Sequence, residues 1–341
     1  MNLPDYNFLS APLWLVNVLH IVTLTLHLVA MNFLLGGVII LLFGKFNDRW
    51  SHPVVQKFIK LFPNIMAATV TIGVAPLLFA QLVLAKPVYA ASIVSGWFWL
   101  MIFVVAIIAY YFMYAASFVT GRENKRVNVF LWITLVGLLY ISFVYSSVFS
   151  LAERPELYAS MYAGHQGGLI INPDLGSYIF RWLHMILGAI TVGGFFVGLL
   201  GKDDEGAFKI GKTFYLWGMV AAMVIGLAYL FMFGEYILPF MRSTAAWALL
   251  IAIILSLGSL HFFFKKKFLA ASLMLFLSMI AMVWIRHTVR LLFLDGKFDP
   301  ASLPVSPQWS IFVIFLILFL VAVGLVWYML KLFVSGKGQA A

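Results

Sequence analysis

Nine apolar runs govern what this chain can become. They cover about 11–43, 61–85, 96–120, 127–151, 178–201, 213–238, 244–264, 268–289 and 308–334, and none is shorter than 21 residues. A helix of about 20 apolar residues crosses the hydrocarbon core of a bilayer, and a helix satisfies its backbone N–H and C=O groups without water. The expected fold is therefore an all-α integral membrane protein with nine transmembrane helices. Composition agrees, with 64% hydrophobic and 10% charged residues across 341 positions, outside the range of soluble domains. Met1 to Phe8 has no basic stretch, and no small-residue cleavage site follows the first run, so that run reads as a span rather than a removed signal.

The net charge of +10 follows topology, not nucleic-acid binding. The connections after runs 1, 3, 5 and 7, with the C-terminal end, carry 15 Lys and Arg, and the opposite side carries seven. Basic residues accumulate on the cytoplasmic side. The expectation is an N-terminus outside and a C-terminus in the cytoplasm, in the inner membrane of a bacterium or archaeon. The longest outer connections are 152–177 and 291–307. The chain contains no cysteine, which excludes disulfides, iron–sulfur clusters and haem attached through Cys-x-x-Cys-His. A redox cofactor here would be held by His or Met.

The runs also repeat. WLVNVLHIVTL in the first and YIFRWLHMILG in the fifth share a Leu-His pair, which aligns His20 with His184. Residues 66–90 and 220–243 are alike as well, and Trp99 and Trp247 fall at similar places in runs 3 and 7. The competing explanation is that all bilayer helices draw on Leu, Val, Ala and Gly. The matched Leu-His pairs favour two four-helix units in the same orientation, 1–151 and 152–290, followed by an outer loop and a ninth helix over 291–341.

Five of the seven histidines lie in or at the ends of runs: His20, His27, His184, His261 and His287. His52 and His165 fall in loops and read as solvated. His184 sits about 9 Å inside its run at 1.5 Å per residue, with Gly188, Ala189, Gly193 and Gly194 beyond it, small enough for a flat cofactor to approach the backbone. His20 and His184 read as equal in depth. His27 lies seven residues deeper on the same face as His20, at a depth comparable to that of His261 counted from the outer surface. A lone membrane histidine usually bonds to a neighbouring helix, but five of them favour ligation of haem iron. Zinc is the rival and would want more converging N, S or O donors. Twelve acidic residues exist, and by position none lies mid-membrane; Glu235 is the nearest, at the outer end of run 6. That argues against proton pumping, cation-coupled transport and oxygen reduction within the chain.

The run NPDLGSYIFRWLHMILGAITVGGFFVGLLG at 172–201 resembles the low-spin haem region of cytochrome bd quinol oxidase subunit I. VWIRHTVRLLFLDGKFDPASLPVSPQWSIFVIFLILFL at 283–320 is similar to that subunit's eighth and ninth helices with their connecting loop. The resemblance implies nine helices with the N-terminus outside and a b-type haem on His184. It implies a first-helix ligand at His20, with His27 competing, and it sets His287 within one residue of a haem-ligating glutamate. Met241 is a poor match to the family's methionine ligand. The chain departs from the family elsewhere. The third run has no glutamate, Leu78 stands where the second helix has one (with Gln81 near), the Gly-Arg-Gln-Pro-Trp run is missing, and the quinol loop shrinks to about Glu235–Ser243. Oxygen chemistry is thereby put in doubt, and what the resemblance leaves is an electron-transfer module.

The function expected is a membrane cytochrome b subunit, with one to three haems b. It would pass electrons between quinol and a partner, either an extracytoplasmic cytochrome c or an iron–sulfur subunit. His184, His20 and His287 would hold haem near the outer face, and His27 with His261 a deeper one. Arg181, Arg286 and Arg290 would either grip haem propionates or anchor helix ends at the interface. Glu235, Arg242 and Lys86 are the candidate quinone contacts, against a reading as solvated loop residues. The alternatives are a haem-free transporter and a terminal oxidase.

Overall fold

The computed structural model of the chain describes residues 9–120 and 126–337, with side chains described through residue 332. Arg122 and Lys125, counted above among the basic loop residues, lie outside the described residues. Twelve α-helices and no extended β-strand occur among the described residues. They are α1 (Leu13–Phe43), α2 (Pro53–Val83), α3 (Ala85–Val94), α4 (Gly96–Val119), α5 (Arg126–Leu151), α6 (Tyr158–Gly164), α7 (Gly176–Leu200), α8 (Glu205–Phe231), α9 (Ile237–Arg242), α10 (Thr244–Phe264), α11 (Phe268–Leu294) and α12 (Trp309–Lys337). Nine of these are long and apolar enough to cross a membrane, so the expected all-α, nine-span class is borne out.

Two boundaries differ from the apolar runs. α2 begins at Pro53 rather than 61, and α8 at Glu205 rather than 213. Each starts with a basic amphipathic stretch (Lys57 and Lys60; Lys209 and Lys212) that hydropathy alone passes over. Each is capped by a side chain: His52 accepts from Val54 N–H in α2, and Asp204 accepts from Ala207 N–H in α8. Such caps occupy otherwise orphaned N–H groups of the first turn. The two caps also meet, with His52 Nε2 at 3.3 Å from Asp204 Oδ2. His52 is thus a capping and bridging residue rather than a freely solvated one. α8 stops short of 238 because Gly234 adopts φ +56° in a tight turn, a conformation that favours glycine.

The chain divides into two compact units. Residues 17–299 form the first. Residues 9–16 with 300–337 form the second, where Leu9 N–H donates to Pro304 O at 2.7 Å and Ser306 N–H to Leu9 O at 2.9 Å. α12 is exposed along nearly its whole length.

The packing of α1 on α7 aligns the two halves of the chain in a register that differs from the expected one. Gly36 of α1 and Gly193 of α7 lie against each other so closely that a Cβ on either would run into the other's backbone. The neighbouring Gly37 packs on Phe58 and Phe62 of α2, and Gly194 packs on Gly211 and Tyr215 of α8. These contacts match when α1 is shifted by 157 residues onto α7 (193 minus 36) and α2 by 153 onto α8 (211 minus 58; 215 minus 62). The shared pattern is then HLVAMNFLLGGVIILLFGK (27–45) on HMILGAITVGGFFVGLLGK (184–202). His27, not His20, is the counterpart of His184. The Leu-His dipeptide misled because it is a local coincidence, whereas the Gly-Gly pair sets where two helix backbones touch. Bare backbone at such a crossing gives the close approach that drives helix association where lipid offers no hydrophobic difference.

The remaining long helices of this unit pair as hairpins, α4 with α5 and α10 with α11. Hydroxyls join the second pair: Ser256 to Ser278 at 2.7 Å, and Ser259 to Ala271 O at 2.7 Å. Ser259 also meets the Tyr215 hydroxyl of α8 at 2.7 Å.

Candidate functional site: buried histidines beside a guanidinium cluster

Three histidines share one bonding habit. His20 Nδ1 lies 3.0 Å from Pro76 O, His27 Nδ1 3.0 Å from Thr69 O, and His184 Nδ1 2.8 Å from Ala222 O. A carbonyl only accepts, so each ring donates Nδ1–H, and the lone pair falls on Nε2. A metal-ligating histidine is oriented in this way by its outer-shell carbonyl. His287 of α11 is buried beside His20, with ring centres 6.3 Å apart and planes inclined by 52°.

His261 is placed differently. It is exposed, three residues from the end of α10 at Phe264, whereas His27 lies 16 residues from the end of α1 at Phe43. No contact brings His27 and His261 together among the described residues. The expected equal depth of His20 and His184 is also corrected, since the repeat equates His184 with His27. His165 is exposed. Among the described residues no group of three or more His, Asp or Glu converges as a metal site.

The second feature was missed at the level of sequence. Glu153, two residues beyond α5, is only 3% exposed. Its Oε2 lies 3.5 Å from Arg181 Nη1, and its Oε1 takes a hydrogen bond from Arg286 and lies 3.5 Å from Arg290 Nε. Glu153 is therefore a buried acidic residue, although it lies beyond the end of α5 and not within the span. The chain turns sharply after α5, with Glu153 N–H donating to Ser150 O and Arg154 N–H to Leu151 O, and Pro155 opens a short 3₁₀ turn. This turn tucks the carboxylate against α7 and α11 instead of leaving it in the loop. Tyr158, whose hydroxyl lies 3.1 Å from both Pro87 O and Ala152 O, pins the same turn. Burial first, then the charges of Glu153 and Glu156, push the Tyr158 phenol above its ordinary value.

Arg286 and Arg290 are one turn apart on α11, and Arg181 sits on α7. Arg181 also donates to Ser146 O, and the Arg290 guanidinium stacks over Phe149 at 5.2 Å. One carboxylate facing three guanidiniums leaves a formal excess of two positive charges. Buried charge is expensive unless it is paired, and the pairing is incomplete. Arg286 Nη1 is buried without a hydrogen-bond partner, and Arg290 Nε, though within ion-pair range of Glu153, is not aligned to bond it. The sequence signal for the cluster was Arg286–His287–x–x–Arg290, which puts a ligand type and two cations on adjacent turns of one helix.

The expected quinone contacts stand apart from this cluster in character. Glu235 is exposed on the turn after α8, Arg242 exposed on α9, and Lys86 exposed on α3. Met241 and Leu78 are likewise exposed.

No protein-family model matches the chain, and no curated protein sequence matches it.

Proposed function

We propose that this multi-pass membrane protein is a b-type cytochrome subunit. It passes electrons between membrane quinol or quinone and a partner redox protein, either an extracytoplasmic cytochrome c or an iron–sulfur subunit. The observation that carries the reading is the His20–His287 pair. His20 and His287 stand with ring centres 6.3 Å apart, a separation at which both imidazoles would hold one haem iron and supply its nitrogen ligands. His20 has its Nδ1–H occupied by Pro76 O, which leaves Nε2 as the donor atom.

The guanidinium cluster supports the same reading. Haem b carries two propionates, and the cluster has an excess of two positive charges and buried N–H groups without partners. Arg286 and Arg290 flank His287 on α11 and would hold those carboxylates, with Arg181 completing the set. Bound haem would supply reversible one-electron transfer. The protein's own part is to fix the imidazoles, neutralise the carboxylates and keep water out with apolar helices. Glu153 weakens one argument against oxygen chemistry, since a buried carboxylate is present after all. Both its oxygens are engaged by arginines, however, and it is not free to shuttle protons. The distribution of Lys and Arg supports an N-terminus outside and a C-terminus in the cytoplasm, in a bacterial or archaeal inner membrane.

The test is to purify the full chain from haem-replete cells. Expected are a Soret band, a reduced-minus-oxidised α band, and loss of the low-spin signature in His20→Ala and His287→Ala. A colourless preparation overturns the reading. The internal repeat favours one second reading, a haem-free transporter whose two halves are related by symmetry, and the same preparation decides between them. Quinol-dependent oxygen uptake by the isolated chain is expected to be absent.

A further inference from the structure

We propose that His27 holds a haem of its own, at a site equivalent to that of His184, so that the two imidazoles serve separate irons on opposite sides of the α1–α7 crossing. This rests on the haem-binding reading above and extends it from the His20–His287 pair to the two halves of the repeat.

The argument starts from register. In the alignment set by Gly36 and Gly193, His27 and His184 coincide on α1 and α7. The alignment of α2 with α8 was set independently by Phe58, Phe62, Gly211 and Tyr215, and it equates Thr69 with Ala222 and Gly73 with Gly226 (both differ by 153). The histidines use those very positions. His27 donates to Thr69 O and His184 to Ala222 O, and each ring lies against the glycine one turn further on. A Cβ on Gly73 would come within 2.6 Å of His27 Nδ1, and one on Gly226 within 3.0 Å of His184 Nδ1. The surrounding sequence repeats too, as Ala-Thr-Val-Thr-Ile-Gly-Val-Ala (68–75) and Ala-Ala-Met-Val-Ile-Gly-Leu-Ala (221–228). Two helices, one carbonyl and one bare glycine thus recur around each imidazole.

Rotation separates the two sites. Each histidine precedes its crossing glycine by nine residues (36 minus 27; 193 minus 184). At about 100° per residue that is about half a turn. Each ring therefore projects from the side of its helix away from the other long helix, toward α2 or α8 as the hydrogen bonds show, and the two cannot share one metal. They are equal in depth, since each lies 16 residues before the end of its helix, at Phe43 or Leu200. In both, Nδ1–H is committed to a carbonyl, so Nε2 presents its lone pair, and neither Nε2 has a hydrogen-bond donor among the described residues. A structural role is complete with Nδ1 alone and leaves unexplained why the same ring-on-glycine arrangement recurs in both halves.

The experiment measures haem per protein by pyridine haemochrome on the purified full chain, with protein quantified by amino-acid analysis. The variants are His27→Gln, His184→Gln and the double. Glutamine can still donate to Thr69 O or Ala222 O but is not a haem ligand, so it separates ligation from packing; unchanged helicity and a monodisperse elution peak confirm folding. Each single variant is expected to lose one equivalent of haem and the double two. Imidazole added to His27→Gly is expected to restore the lost equivalent. The inference is overturned if His27→Gln keeps the full haem complement, or if the double variant loses no more than His184→Gln. Wild-type protein without any haem instead overturns the reading on which this inference rests. If His27→Gln does not fold, imidazole rescue in His27→Gly decides: no regained haem overturns the proposal.

Discussion

Replacing Glu153 with glutamine would keep the shape of the buried carboxylate and remove its charge. Three guanidiniums would then face a neutral amide. The side chains of Arg181, Arg286 and Arg290 are 12%, 22% and 7% exposed and that of Glu153 3%, so water cannot screen the loss as it does for a surface pair. Removing one partner of a buried ion pair costs about 3–5 kcal/mol, because the remaining charge is left uncompensated. For a domain of 150–250 residues each kcal/mol shifts Tm by about 2–4 °C, and the shift falls with size. At about 2 °C per kcal/mol, the expected fall in Tm is about 6–10 °C. Thermal unfolding in detergent, followed by tryptophan fluorescence at matched haem content, measures it. A Tm within about 1 °C of wild type would refute the claim that the cluster is buried and charged. The double variant Glu153→Gln with Arg290→Leu should recover part of the loss, because it removes one unpaired charge together with its counter-ion. Raising the salt concentration should change little, since buried pairs are weakly screened.

Three further outcomes follow from the structure. Gly193→Val should abolish stable assembly of the α1–α7 crossing, since a Cβ there already meets the Gly36 backbone at 2.5 Å; size-exclusion chromatography would show loss of the monodisperse peak. His52→Ala should cost about 1 kcal/mol through loss of the α2 cap and leave any haem spectrum unchanged, because the residue sits at the Asp204 end of the bundle; a bleached spectrum would contradict the placement. Tyr158 has a phenol pKa raised by burial, so its contribution to stability is fully present below the unfolded value of about 10 and falls as pH rises beyond it. Stability measured between neutral and strongly alkaline pH should therefore decline less steeply in Tyr158→Phe, although that variant starts about 1 kcal/mol lower for the lost hydrogen bond.

The nine spans, the lack of cysteine and the candidate histidines were legible in the linear order of residues. Hydropathy is a local property, and the bilayer obliges an apolar run of that length to become a helix. The starts of α2 and α8 were less legible, because lysines continue those helices beyond their apolar stretches. The equivalence of His27 with His184 was written in the sequence as His-x8-Gly-Gly-x6-Gly-Lys, yet the Leu-His dipeptide matched the wrong residue. Only the packing of Gly36 on Gly193 showed which alignment has physical meaning. The surroundings of Glu153 could not be read in advance at all. A loop carboxylate and three helix arginines are 28 to 137 positions apart (181 minus 153; 290 minus 153), and nothing local says that a turn at Pro155 folds one onto the others. What a residue is made of decides whether its segment enters the membrane. Which groups it meets there depends on helix rotation and on how loops tuck between helices, and those are settled by contacts between segments distant in the chain.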